Sequence, residues 1–300
     1  MEAIDVEEPE VDDERFWSVT TLLRCLDKPA LLQWAAKQTA TAAVDELDDL
    51  PSRLERDGYD ETVKWLSYAR DRAPEQMLTP AERGTAVHAA IDEYVKLGKF
   101  PRMIEQVRPY VEQFAAWADV WQPEWLYSEE TVFDREYRYA GTCDAWMVIN
   151  GRALIVDYKT SDKKRRPYPE VALQLAAYRY AELVATWRAR RTSYGGKRYY
   201  LVKPDEIEMA TPPPVVEGGL CIQITPVSCV AYPVRCDEAV FRHFLHVTEA
   251  ARWSFLESRT VIGKELTPKK DMEEQMADFP VPKTGLSATA DLPPTRVDEQ

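Results

Sequence analysis

The 300-residue chain lacks the features that mark several large protein classes. No apolar run approaches the roughly 18 residues that a membrane-spanning helix needs, so no membrane partner is expected. Residues 1–15, MEAIDVEEPEVDDER, are acidic, unlike a secretory leader or a transit peptide. Cysteine is scarce: five, an odd number, and scattered, which fits a reducing cytosol better than a disulfide framework. The nearest approach to a phosphate loop, Gly195-Gly196-Lys197-Arg198, lacks the first glycine and the closing Ser/Thr. No ATP requirement and no motor activity is expected.

What is present is ordinary in bulk, with 45% hydrophobic and 30% charged residues, as in soluble globular proteins. The net charge of −13 argues at first against a polyanion partner, but the charge is segregated. Acids load the N-terminal tail, and Asp45, Glu46, Asp48 and Asp49 form a second acidic run. Lys159–Lys203 is the opposite: Lys163, Lys164, Arg165, Arg166, Arg179, Arg188, Arg190, Arg191, Lys197, Arg198 and Lys203 face only Asp162, Glu170 and Glu182. Such a region is compatible with nucleic acid, and equally with a solvated charged face.

The composition predicts disordered tails at 1–15 and 267–300 around a single domain, 16–266, with a helical part at 16–122 and a core at 123–266. In the helical part, Ser18 is a candidate N-cap and Pro29 divides two helices. Thr79, Pro80 and Glu82 form a capping box with proline at the first helical position, and Gly98 and Pro101 end that helix. A further helix covers 102–121, with Pro109 a kink or break. Period-two patterning then predicts three strands in WLYSEETVFDREYRY, GTCDAWMVIN and RALIVDYKTS. A long helix over 169–191, a short strand in KRYYLVKP, a Pro/Gly-rich loop over 205–219, two more strands and a helix from Asp237 to about Ser258 follow. The fold class expected is α/β, a mixed central sheet flanked by helices with a helical N-terminal half.

Asn150-Gly151 between apolar runs is a strong hairpin signal, because both residues tolerate positive φ in a type I′ turn. A two-residue loop sets Ile149 opposite Arg152, Trp146 opposite Ile155 and Asp144 opposite Asp157. Lys159, two positions on, shares the face of Asp157. Two carboxylates about 5 Å apart repel, and one would hold a raised pKa. A divalent cation turns that repulsion into shared coordination. A surface charge cluster bridged by Lys159 fits the same residues.

Asp144 followed by Asp157-Tyr158-Lys159 resembles the PD-(D/E)XK nuclease pattern. GTCDAW, ALIVDYKTS and VALQLAAYRYAE together resemble the RecB-like nuclease signature, Gly-x-x-Asp, Asp-Tyr-Lys-Thr and Gln-x-x-x-Tyr in order. RGTAVHAAIDEY resembles that family's helical Gly-x-x-x-His motif, and SEETV its strand with an upstream glutamate, matched best by Glu129. The likeness covers about residues 79–185 and implies a restriction-endonuclease-like core.

By that resemblance Asp144 and Asp157 hold Mg²⁺ or Mn²⁺, with the Tyr158 carbonyl and His88 as further ligands and Glu129 as an accessory acid. An imidazole ligand shifts preference toward Mn²⁺. Lys159 would orient or help deprotonate the attacking water, or stabilise charge on phosphorus. Gln174 and Tyr178, four apart on one helix face, would orient Lys159 or touch the DNA backbone. Lys163, Lys164, Arg165 and Arg166 would grip phosphates. Some relatives, including CRISPR-associated RecB-like exonucleases, carry an iron–sulfur cluster. Here Cys25, Cys221, Cys229 and Cys236 lack the close late spacing, so no cluster is expected.

The family likeness implies a cytoplasmic exonuclease of a bacterium or phage, acting on DNA with a free end in recombination or repair, with a single-strand annealing or recombination protein as a partner. A structure-selective endonuclease and a non-catalytic DNA-end-binding protein are the alternatives. A two-carboxylate glycosidase would leave Lys159, Gln174 and the basic run without a role.

Overall fold

A computed structural model of the chain describes residues 14–26, 29–68, 77–185, 190–194 and 197–263. The elements run β1 (Glu14–Ser18), α1 (Val19–Leu22) and a 3₁₀ turn (Leu23–Cys25), then α2 (Pro29–Asp45), α3 (Leu50–Asp57), α4 (Tyr59–Ser67), α5 (Pro80–Leu97) and α6 (Arg108–Trp121). The strands β2 (Glu124–Asp134), β3 (Tyr139–Ile149) and β4 (Arg152–Thr160) follow, then α7 (Glu170–Arg179), β5 (Leu183–Ala185), β6 (Arg190–Tyr194) and β7 (Lys197–Val202). The chain continues with α8 (Pro204–Met209), β8 (Gly218–Thr225), β9 (Ser228–Val234) and α9 (Glu238–Phe255). Residues 1–249 form one compact unit, which contains the sheet. Residues 250–300 form a second, whose described part holds the last turns of α9 and a 3₁₀ turn, Glu257–Arg259.

The result is a mixed α/β fold with a helical N-terminal region. The sheet runs β6-β7-β1-β3-β4-β8-β9, with β2 on β3 and β5 on β2. β1 with β3 and β4 with β8 are parallel; the other pairs are antiparallel. Alternation along the hairpin sorts its side chains. Ala145, Met147, Val156 and Tyr158 join Val87, Ile91 and Phe114 in the core under α5 and α6. Asp157 and Lys159, the alternate positions of β4, face α7 instead, where both meet Gln174.

The hairpin has the expected turn and register. Asn150 and Gly151 have φ of 50° and 76°, and pairing runs from Ile149↔Arg152 to Ala145↔Val156. There it stops. β2 occupies one edge of β3 throughout, and β1 takes the other edge only at Tyr139 and Ala140. Residues 141–144 have no strand partner on that second edge among the described residues. The sheet is forked at this point, and Asp144 stands in the fork.

Two close approaches position the helices beside it. α5 begins with the expected capping box: Thr79 N–H donates to Glu82 (2.9 Å), and Glu82 N–H donates to the Thr79 hydroxyl (3.3 Å). One turn on, Gly84 lets the helix pass the end of β4, since a Cβ there would lie 3.2 Å from Thr160 Oγ1. On the other face, Tyr178 of α7 packs against Gly141, where a Cβ would fall 2.3 Å from the tyrosine ring.

The structure departs from the sequence expectations in five places. β1 starts at Glu14, inside the segment expected to be disordered, because Glu14–Trp17 pair with Val202–Tyr199 of β7. The long helix over 169–191 ends at Arg179. Leu183–Ala185 leave helical patterning to pair with Phe133–Thr131 of β2, and Arg190 and Arg191 lie in β6; tertiary pairing overrides local propensity. Of the two readings of Pro109, the break holds and the kink does not: the helix expected over 102–121 starts at Arg108, with Pro109 in the first turn of α6, where its missing N–H costs nothing. The Pro/Gly-rich loop contains α8, entered at Pro204. α3 and α4 were not anticipated. The remaining tail residues, 1–13 and 267–300, lie outside the described residues. No described helix is long and apolar enough to cross a membrane.

Gly141→Ala is expected to destabilise the fold by about 1–3 kcal/mol in urea unfolding, through the clash with Tyr178. Gly218→Ala, whose Cβ would meet only Leu154 at 3.9 Å, is expected to stay within about 0.5 kcal/mol of the parent. Equal midpoints for the two variants would contradict the packing.

Candidate functional site

In a regular antiparallel ladder the Tyr158 amide would pair with Cys143, the next narrow pair after Ala145↔Val156. It donates instead to Asp144 Oδ2, at 2.5 Å. Asp144 is thus oriented by a main-chain N–H, and its other oxygen lies 3.3 Å from His88 Nδ1. Ser161 N–H points to β8, bonding the Ile224 carbonyl. By strand alternation both backbone polar groups of Tyr158 point the other way, into the fork. The Tyr158 side chain lies in the core on the α6 side, packed edge-on to Phe114.

Asp157 is 1% exposed. Its Oδ1 accepts from Lys159 Nζ (2.7 Å) and Gln174 Nε2 (2.8 Å). The ammonium is also 2.7 Å from Oδ2, but at an angle that makes no hydrogen bond, and this buried oxygen accepts none. Gln174 reaches Lys159 through Oε1 (3.4 Å) and Tyr178 through Nε2 (3.3 Å). Asp157, Lys159, Gln174 and Tyr178 are therefore one hydrogen-bonded chain across β4 and α7.

Glu129 completes the acid cluster. It stands on β2 between Ser128↔Ala145 and Glu130↔Cys143, which puts it across the strand pair from Asp144. Its φ is 55°, a left-handed conformation that costs a non-glycine residue roughly 1–3 kcal/mol and clusters at functional sites. His88 Nδ1 is 3.9 Å from its carboxylate. Among the described residues, His88, Glu129 and Asp144 are the one His/Cys/Asp/Glu group whose ligand atoms lie close enough to share an ion. The cysteines form no such group there, and all five are free thiols.

Burial sets the electrostatics. It disfavours charge on His88, but the Asp144 carboxylate outweighs it and holds the imidazole pKa at about 8. Burial, with Asp144 alongside, pushes Glu129 to about 7. Burial works to raise Asp144 too, yet His88 and Lys159 hold it below the ordinary range. Asp157 goes the other way: burial raises it despite Lys159. Burial disfavours the Lys159 charge, but Asp157 and Asp144 keep it protonated.

These residues line a cleft of about 840 Å³. Gly84, Thr85 and His88 of α5 form one wall; Arg190, Arg191, Arg198, Tyr199 and Tyr200 of the β6–β7 hairpin form another. Arg191 Nη2 donates to Thr142 Oγ1 (2.7 Å), Tyr200 bonds the same hydroxyl (3.1 Å), and the guanidinium sits 5.4 Å from the Tyr200 ring centroid. Arg191 is thereby fixed over the fork.

The fold gathers His88, Glu129, Asp144, Asp157, Lys159, Gln174 and Tyr178 in this cleft. It does not bring Lys163, Lys164 and Arg166 there; they are exposed on the loop after β4, and Arg165 borders a neighbouring recess. Of the wall residues, Arg190, Arg191 and Arg198 were visible in sequence only as part of a basic segment. The Arg/Tyr run RYY was the available signal, but it becomes a wall only through the Arg191↔Tyr200 pairing.

The cluster fits a hard divalent cation: the carboxylates of Glu129 and Asp144 and the His88 imidazole lie close enough to share one ion, a backbone carbonyl is directed into the fork, and Asp157, paired with Lys159, lines the same cleft. No family model and no curated protein matches the chain. Among solved structures, the crystal structure of SSO0001 is similar at 15% identity over 79% of this chain and 75% of that one, with a TM-score of 0.32.

A cation must displace the protons held by His88 and Glu129. Calorimetric titration of Mn²⁺ at pH 7 in buffers of different ionisation enthalpy is expected to show release of about one proton or more per ion. The affinity should rise between pH 6 and 8, as the imidazole and the carboxyl lose their protons. Binding without proton release, or independent of pH, would contradict the assignment.

Proposed function

We propose that the chain is a metal-dependent DNA nuclease with a restriction-endonuclease-like core of the RecB-like PD-(D/E)XK type, hydrolysing phosphodiester bonds from DNA ends. One observation carries the reading: ligand atoms of His88, Glu129 and Asp144 lie close enough to share one ion, and the buried Asp157–Lys159 pair lines the same cleft.

Asp144, Asp157, His88 and the Tyr158 carbonyl would hold Mg²⁺ or Mn²⁺, with Glu129 close by. The ion would lower the pKa of a bound water and neutralise phosphate oxygens. Lys159 holds its proton and presents a fixed positive charge beside Asp157, suited to orienting the water and to the charge that develops on phosphorus. Gln174 fixes both Asp157 and Lys159, so it acts as a positioning residue, and Tyr178 in turn fixes Gln174. Arg191, held by Thr142, supplies a cation for a strand phosphate from the opposite wall. In the reaction, water adds to phosphorus, the bond to the leaving sugar oxygen breaks, and the released proton ends on that oxygen. The overall charge is acidic, but Arg190, Arg191 and Arg198 put three cations on the cleft wall.

The test is cleavage of end-labelled linear DNA and of covalently closed circles with Mg²⁺, Mn²⁺ or chelator. Linear DNA should be degraded only with metal, and closed circles spared. Lys159→Ala should lower the rate about 10²-fold or more with an unchanged circular dichroism spectrum. Cleavage that survives chelation, or a Lys159→Ala rate equal to the parent, would contradict the reading; rapid cutting of closed circles would reject the end-dependent form.

A further inference from the structure

A second, smaller recess of about 240 Å³ adjoins the cleft. Thr20, Lys159 and Gln174 border both spaces, so they form the partition between them. The acid cluster belongs to the cleft alone. The recess is bounded on its other side by the loop that joins β4 to α7.

That loop is tied down along its length. Ser161 N–H bonds the Ile224 carbonyl (3.1 Å). Asp162 accepts from Arg83 of α5 (2.8 Å) and from the Tyr110 hydroxyl of α6 (3.0 Å). Gln223, 3% exposed on β8, uses both ends of its amide on the loop: Oε1 accepts from Arg165 N–H (3.1 Å) and Nε2 donates to Ser161 Oγ (3.2 Å). A buried glutamine spent entirely on one loop fixes that loop's shape. What the fixed loop presents to the recess is Tyr168, a residue 43% exposed, with the Arg165 guanidinium 5.7 Å from its ring centroid.

An exposed aromatic side chain, a guanidinium and the Thr20 hydroxyl are the groups that receive a base, a phosphate and a sugar. Glu170 also borders the space. The volume lies just under the ~300–1,000 Å³ of ordinary small-molecule pockets, so it suits one nucleotide and not two. We propose that this recess is a binding subsite for a single nucleotide, the one next to the bond being cut, with its base on Tyr168 and its phosphate toward Arg165 and Lys159. Its place in the reaction rests on the nuclease reading; the existence of the subsite does not.

The experiment is calorimetric titration of the full chain with 5′-dTMP, 3′-dTMP and inorganic phosphate, all in chelator so that no hydrolysis intervenes. At least one nucleotide should bind with a Kd of ~1 mM or tighter, and the isomer preferred reports which side of the nucleotide carries the phosphate. Tyr168→Ala should weaken it about ten-fold or more, with Tyr168→Phe close to the parent. Neither nucleotide binding, Tyr168→Ala binding like the parent, or inorganic phosphate binding as tightly as the nucleotides would each overturn the subsite. Nucleotide binding in a protein that cuts no DNA would sink the nuclease reading and leave the subsite standing.

Discussion

Among the described residues, β3 has no strand between Ala145 and Ala140 on the edge that β4 and β1 share, and the Tyr158 amide has no backbone acceptor there. Asp144 supplies one. That hydrogen bond holds a carboxylate in the mouth of a forked sheet, where ladder pairing would otherwise have closed the gap. Everything else at the site follows from the fork: Asp157 and Lys159 lie on the same departing strand, and His88 and Arg191 reach the opening from elements on either side.

The arrangement is costly without a cation. Glu129, Asp144 and Asp157 are three acids in one half-enclosed cleft, against Lys159 and a protonated His88. Burial of paired charges seldom adds net stability, and Glu129 adds backbone strain to charge repulsion across the strand pair. The protein lowers the cost by keeping protons on His88 and Glu129 and by giving Asp157 two donors on one oxygen. A divalent ion would do the same more completely. On the proposed reading the site exchanges protons for metal, and its stability should be linked to metal binding.

Much of this was legible in the chain. Asn150-Gly151 set the register as far as Ala145↔Val156; the expected pairing of Asp144 with Asp157 falls one step beyond, where the ladder stops and Asp144 turns to the Tyr158 amide. Thr79, Pro80, Glu82 and Gly98 bounded α5 and so placed His88. The four-residue spacing of Gln174 and Tyr178 put them on one face of α7. What was not legible depended on distant partners. Nothing local marks Glu14–Ser18 as a strand, since its pairing lies with residues 199–202. Val184 and Ala185 continue a helical pattern until β2 captures them. Arg191 belongs to that same mispredicted helix, so its place over the fork was invisible, while the four-residue basic run after β4 drew attention for its charge and lies mostly outside the cleft. The left-handed backbone of Glu129 had no sequence signal at all.

The most direct measurement is an anomalous-scattering map of crystals grown with Mn²⁺. A single strong peak in the fork, at ordinary metal–oxygen distances of about 2.0–2.3 Å from both the Asp144 and Asp157 carboxylates, is the predicted result. A peak that lies away from both acids, or no bound ion at saturating Mn²⁺, would contradict the claim that the forked sheet exists to hold a cation between them.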